Sequence, residues 1–196
     1  MALPNASVDA LLGPRMTSRE WGQLPEDVSG ELLAGRLVEE EWPDYVHEVV
    51  VAWLVHVLMT WAEGAGAIVA GSDAKFELGE GHGRKPDVSV FFAGRRPPRH
   101  GVVTIPPDIA VEVVSPSARD QRRDRVDKRA EYAAFGVRWL WLVDPEARGV
   151  EILEHDGREG YAERVTAGGG MVDVPGCGGL TIDLDALWRK TDELED

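Results

Sequence analysis

The chain has one cysteine, Cys177, among its 196 residues. A lone thiol excludes disulfides within the chain and a cysteine-rich zinc site. No run approaches the roughly 18 uninterrupted apolar residues of a spanning helix. The start, MALPNASVDALLGPRMTSREW, has an acid inside its apolar part and no basic leader, so the expectation is a cytoplasmic protein with no membrane segment. Positive charge is scarce too. With 21 Lys and Arg against 35 Asp and Glu, the formal net charge is -14, which argues against bulk attraction to nucleic acid or anionic lipid. Internal repeats and long low-complexity linkers are absent. The expected organisation is a loose leader over residues 1–15, one domain over 16–190, and an acidic tail over 191–196.

What is present suits a globular chain with a real core: 43% of residues are apolar and 29% charged. Thr17 or Ser18 can cap a short helix ending near Leu24, and ELLAGRLVEEEW (31–42) reads as a hairpin turned at Ala34-Gly35. Val46, Val49, Val50, Trp53, Leu54, Val57, Leu58 and Trp61 recur at the spacing of one buried helix face, which predicts a core helix ended by the glycines after Glu63. Ala67 to Leu78 predicts one or two strands, a Gly-rich loop follows, and KPDVSVFF reads as another strand with Asp87 at its entrance. Ser117, with Asp120 three residues on, can cap a helix that runs to about Phe135 and stops at Gly136. WLWLVD and GVEILEHDG are further strands, and LDALWRK is a short closing helix. The order predicts an α/β (α+β) fold with a mixed central sheet flanked by helices.

One residue resists this scheme. Glu112 stands inside DIAVEVV, an apolar run rich in β-branched residues and ended by Ser-Pro-Ser. A buried carboxylate must pair, bind a cation or take up a proton. If the strands holding Asp87 and Glu112 are neighbours, their hard oxygens suit one Mg²⁺ or Mn²⁺ ion, and a phosphodiester is the natural substrate of such a site. The two acids alone leave another account open, in which Asp87 caps the turn after Pro86 and Glu112 pairs with a nearby arginine. Charge is also uneven: residues 95–129 hold nine Lys or Arg against five Asp or Glu. That fits a basic face, and equally a solvated helix laced with ion pairs.

The longer wording narrows the choice. KPDVSVFF, followed by DIAVEVVSPSARDQRRDRVDKRAEYAAFGVRWLWLVDPEARGVEIL, resembles the Uma-two family of restriction endonuclease-like proteins, a branch of the PD-(D/E)XK nuclease superfamily. The resemblance extends to MTSREWGQLP, GELLAGRLVEE, His47 at the front of the long helix, and PGCGGLTIDLDALW, covering roughly residues 16–188. It implies a restriction-endonuclease-like core and a divalent-metal-dependent endonuclease acting on DNA with Mg²⁺ or Mn²⁺. Asp87 matches the family's first metal-binding acid and Glu112 the second, and Val113 would lend its backbone carbonyl to the metal. The superfamily's common lysine position, two residues after the glutamate, is Val114 here. Lys128 on the following helix matches the lysine this family uses instead, although Asp124, Lys128 and Tyr132 also share one helix stripe and a surface Asp-Lys pair is a sufficient structural account. Glu48, His47 and Glu31 are further candidates at the site. Lys85, Arg119, Arg122, Arg123 and Arg125 are candidates for backbone phosphates. A homodimer is the arrangement that cutting both strands would favour. The alternative function is a catalytically inactive protein of nuclease fold that serves as a binding or assembly module, for which the missing strand lysine and the acidic charge speak.

Overall fold

A computed structural model describes residues 14–25, 28–38, 43–115, 123–158 and 160–195, with the backbone alone for 123–125. Helix α1 (Ser18–Gly22) begins at Thr17, whose hydroxyl accepts from the Glu20 N–H while the Glu20 carboxylate accepts from the Thr17 N–H, a reciprocal capping box. Strands β1 (Glu31–Leu33) and β2 (Arg36–Val38) form the expected hairpin, with Ala34 and Gly35 both at positive φ as a tight two-residue turn requires. Helix α2 (Tyr45–Ala65) runs through Gly64 to a left-handed Gly66. By length and composition α2 could cross a membrane. In this fold Val50, Val51, Leu54 and Leu58 instead pack on the central sheet.

The strands that follow are β3 (Ile68–Ala70), β4 (Phe76–Gly79), β5 (His82–Arg84), β6 (Val88–Phe91) and β7 (Ile109–Val113). A π-helical turn, Arg123–Lys128, leads into helix α3 (Arg129–Phe135), which ends at left-handed Gly136. Next are β8 (Trp139–Asp144), β9 (Gly149–His155), β10 (Tyr161–Ala167), β11 (Met171–Asp173), β12 (Thr181–Asp183) and helix α4 (Leu184–Thr191).

The architecture is mixed α+β. A six-stranded mixed sheet has the order β10-β9-β8-β7-β6-β3; β7 and β8 are parallel and the other pairs antiparallel. A parallel pair needs a crossover, and the π turn with α3 supplies part of it. A second sheet, β2-β1-β5-β4, carries the hairpin. The long expected helix from Ser117 to Phe135 is thus seen only in its second half, as a π turn and a short α-helix; Ser117 and Asp120 lie outside the described residues. The 67–78 stretch yields two strands in different sheets, and the Gly-rich loop contains β5.

The central strands are buried on both faces, which explains the lack of a polar alternation in IAVEV and WLWLVD. Ile109, Val111 and Val113 face α2 together with Trp139, Trp141 and Val143. Ala110 and Val114 face α3, beside Leu140, Leu142 and Tyr132. Strand alternation places Glu112 with the second set, under α3.

Candidate active site

Strands β6 and β7 pair in the register Val88↔Val111, Ser89↔Ala110 and Val90↔Ile109. One further step along this ladder sets Asp87 across from Glu112, so the two acids flank the same end of adjacent strands. Asp87 is fixed from two sides. Its Oδ2 accepts the Val113 N–H at 2.7 Å and lies 3.3 Å from His47 Nε2 at the start of α2. His47 Nδ1 is 3.4 Å from the Glu48 carboxylate, without hydrogen-bond geometry. Burial disfavours the charged imidazole, but the hydrogen bond and charge of Asp87, with Glu48 behind, outweigh it and hold the His47 pKa above its ordinary value. The Glu48 side chain itself is half exposed.

Glu112 is 1% exposed and is not buried without partners. Its Oε2 accepts from Lys128 Nζ at 2.6 Å, and its Oε1 accepts from the Tyr132 hydroxyl at 2.5 Å. Burial first, and then the Glu112 charge, push the Tyr132 phenol far above its ordinary range, so it stays a donor. Lys128 therefore reaches from the end of the π turn to the strand glutamate. The side chain of Asp124 lies outside the described residues. Lys128, the last residue of the π turn, and Tyr132 one helical turn later meet on one carboxylate.

Behind Lys128 lies a second layer of charge, of which the sequence pointed only to Glu31. Glu31 on β1 is 3.8 Å from Lys128 Nζ, accepts the Lys85 N–H at 3.2 Å, and pairs through Oε2 with Arg84 Nη1. Arg84, on β5, also donates from Nε at 2.6 Å and Nη2 at 3.0 Å to the Glu131 carboxylate on α3. Burial opposes the guanidinium charge, yet Glu31 and Glu131 raise its pKa well above the ordinary value. Glu31 thus stands beside the candidate site. The Lys85 ammonium pairs with exposed Asp73 at 3.2 Å. Arg119 and Arg122 lie outside the described residues, as do the side chains of Arg123 and Arg125. Arg84 and Glu131 were not legible as site residues; the only hint at Tyr132 was its place one helical turn after Lys128.

Among the described residues no group of three or more His, Cys, Asp and Glu side chains is arranged to hold a metal ion. Magnesium, however, keeps several waters and commonly takes only one or two carboxylates. Asp87 and Glu112 are hard oxygen donors of that kind, set across from each other at the end of the β6-β7 ladder. Their chemistry fits such an ion; among the described residues an all-protein cage does not form.

The family model Uma2, described as "Putative restriction endonuclease", matches residues 18–185. None of the curated proteins matches the chain. Among solved structures, a crystal structure from Anabaena variabilis described as "a putative nuclease belonging to DUF820" is similar with a TM-score of 0.69 and 23% identity, covering 89% of this chain and 98% of that one. At that identity the likeness speaks for the fold.

Proposed function

The chain belongs to the Uma2 family, whose description supports a nuclease function, and we propose from the site geometry that it is a divalent-metal-dependent endonuclease hydrolysing phosphodiester bonds of DNA. The observation that carries the reading is the 2.6 Å contact between Lys128 Nζ and Glu112 Oε2 at the strand end where Asp87 stands. It joins one acid and one ammonium from two separate stretches of sequence, and the β6-β7 register sets Asp87 one step away on the neighbouring strand.

Each side chain then has a role. A divalent ion held by Asp87, Glu112 and the Val113 carbonyl would polarise the phosphoryl oxygen and lower the pKa of a bound water. The Val113 N–H and His47 hold the Asp87 carboxylate in place. Tyr132 fixes the rotamer of Glu112 from the helix side. Lys128 orients the attacking water and stabilises the negative charge that builds on the phosphoryl oxygens. Arg119, Arg122, Arg123 and Arg125 contact the nucleic-acid backbone in this reading. Replacing Arg122 and Arg125 by Ala lowers the slope of log affinity against log salt by about one for each arginine that had neutralised a phosphate; an unchanged slope in a filter-binding titration moves the binding face elsewhere.

The deciding experiment is metal-dependent cleavage of duplex and single-stranded DNA by the native chain, Asp87→Ala and Glu112→Gln. Either substitution abolishes turnover if the two acids hold the ion. One observation favours the rival reading, a nuclease-fold assembly module without turnover: both Glu112 oxygens already accept hydrogen bonds within the chain. Cleavage that persists in Glu112→Gln makes Glu112 a structural acid, and no cleavage by the native chain with Mg²⁺ or Mn²⁺ supports the module.

A further inference from the structure

Lys128 stands between two buried carboxylates rather than beside one. Its ammonium is bonded to Glu112 Oε2 at 2.6 Å and lies 3.8 Å from Glu31 Oε1. Glu31 is held from its other side, where Arg84 grips its Oε2 and the Lys85 N–H reaches its Oε1. Arg84 is itself braced by two bonds to Glu131. None of Glu31, Arg84, Glu112 and Lys128 is more than 4% exposed. Three of the charges, those of Arg84, Glu31 and Glu131, therefore form a strut from the second sheet to α3 whose end faces the ammonium.

We propose that Glu31 is the second seat of the Lys128 ammonium: when a divalent ion takes Glu112 Oε2, the ammonium turns to Glu31 Oε1 and stays in the site. The proposal rests on the metal-bound reading above. A cation arriving at Glu112 repels the ammonium already there, and a buried ammonium stripped of its carboxylate is costly. Glu31 removes that cost. Closing from 3.8 Å to an ordinary charged hydrogen bond of about 2.8 Å needs a shift of about 1 Å, which a lysine's flexible stem and three rotatable donors allow. Glu31 and Arg84 are thus positioning residues, acting through Lys128.

The test is binding of Mn²⁺ to the DNA-free protein, with free ion read from its electron paramagnetic resonance signal. Glu31→Gln weakens Mn²⁺ binding about tenfold, the usual size of coupling between contacting groups. Glu131→Gln also takes a carboxylate from Arg84 but leaves Glu31 facing Lys128, and it changes binding less than about threefold. In a Lys128→Met background the loss caused by Glu31→Gln shrinks to the same small range. Equal binding by the native chain and Glu31→Gln overturns the proposal; so does an equal loss in Glu131→Gln, or a Glu31→Gln loss that survives without the ammonium. Should Glu31→Gln fail to fold by circular dichroism, Glu31→Asp keeps the charge, shortens the reach to Lys128, and must weaken Mn²⁺ binding as well; unaltered binding there overturns the proposal too. A native chain that binds no Mn²⁺ removes the metal reading itself, a result distinct from all of these.

Discussion

Replacing Lys128 by Met separates a buried ion pair from a surface one. The substitution keeps the length of the side chain and deletes the ammonium, leaving Glu112 at 1% exposure with the Tyr132 hydroxyl on Oε1. Removing one partner of a buried pair costs about 3–5 kcal/mol, because the remaining charge stays desolvated. The Tyr132 bond survives and is itself a hydrogen bond to a charged group, so the expected loss lies toward the low end, about 3 kcal/mol. For a chain of this size that lowers Tm by roughly 6–12 °C. Urea unfolding followed by circular dichroism measures it directly as a fall in midpoint at constant slope. A divalent ion binding the folded state alone stabilises by RT ln(1 + [L]/Kd), about 2.7 kcal/mol at a hundredfold excess over Kd, so Mg²⁺ restores much of the loss. In the cleavage assay the same variant falls by roughly 10²-fold or more, the scale for losing a positioned proton-transfer or charge-stabilising group. A stability loss under about 1 kcal/mol with cleavage intact is the behaviour of an exposed pair, and would refute the placement of Lys128 at the centre of this site.

Two further outcomes follow from groups next to and away from the acids. His47 has a folded pKa above its ordinary 6.5, so its pairing with Asp87 stabilises the metal-free protein fully below that value, and the contribution is lost as pH rises through the raised pKa; the urea midpoints of the native chain and His47→Gln should converge as pH is raised from below 6.5, and a constant difference across that range counts against the His47–Asp87 contact. Cys177 is buried, and burial first, then the Asp108 charge, pushes its thiol up to about 11; a thiol reagent at pH 8 should modify it only as fast as the protein unfolds, and rapid labelling of the native state would refute its burial.

The parts of the fold that were legible in the sequence share a physical reason. The helix cap at Thr17 or Ser18, the Ala34-Gly35 turn, the apolar stripe of α2 and the doubly buried runs IAVEV and WLWLVD are each set by local chemistry that a linear reading can see. So was the anomaly of Glu112, since a carboxylate in such a run demands a partner. Strand β5 was not legible. Its residues, His82–Arg84, carry a glycine and an arginine and read as loop. The glycine is there because the Trp21 ring presses on it: a Cβ on Gly83 would come within 2.4 Å of that ring. The arginine is buried by two carboxylates rather than by apolarity. With β5 unseen, the strut of Arg84, Glu31 and Glu131 was unseen too.

The same packing explains why Lys128 meets Glu112 from the helix side. On β7 the position two residues beyond Glu112 is Val114, which packs with Tyr132, Leu140 and Leu142 beneath α3. An ammonium there would have to be accommodated within that cluster, at the cost of apolar contacts on the helix side. Placing it on the π turn keeps the strand apolar and brings the charge to Glu112 from above. A lysine on the helix side needs that helix held at a fixed height over the sheet. The Arg84-Glu131 bonds tie the first turn of α3 to β5, and Tyr132 ties the next residue to Glu112. The buried ion pairs that looked foreign to the core are therefore what fixes Lys128 in register with a carboxylate from a different element.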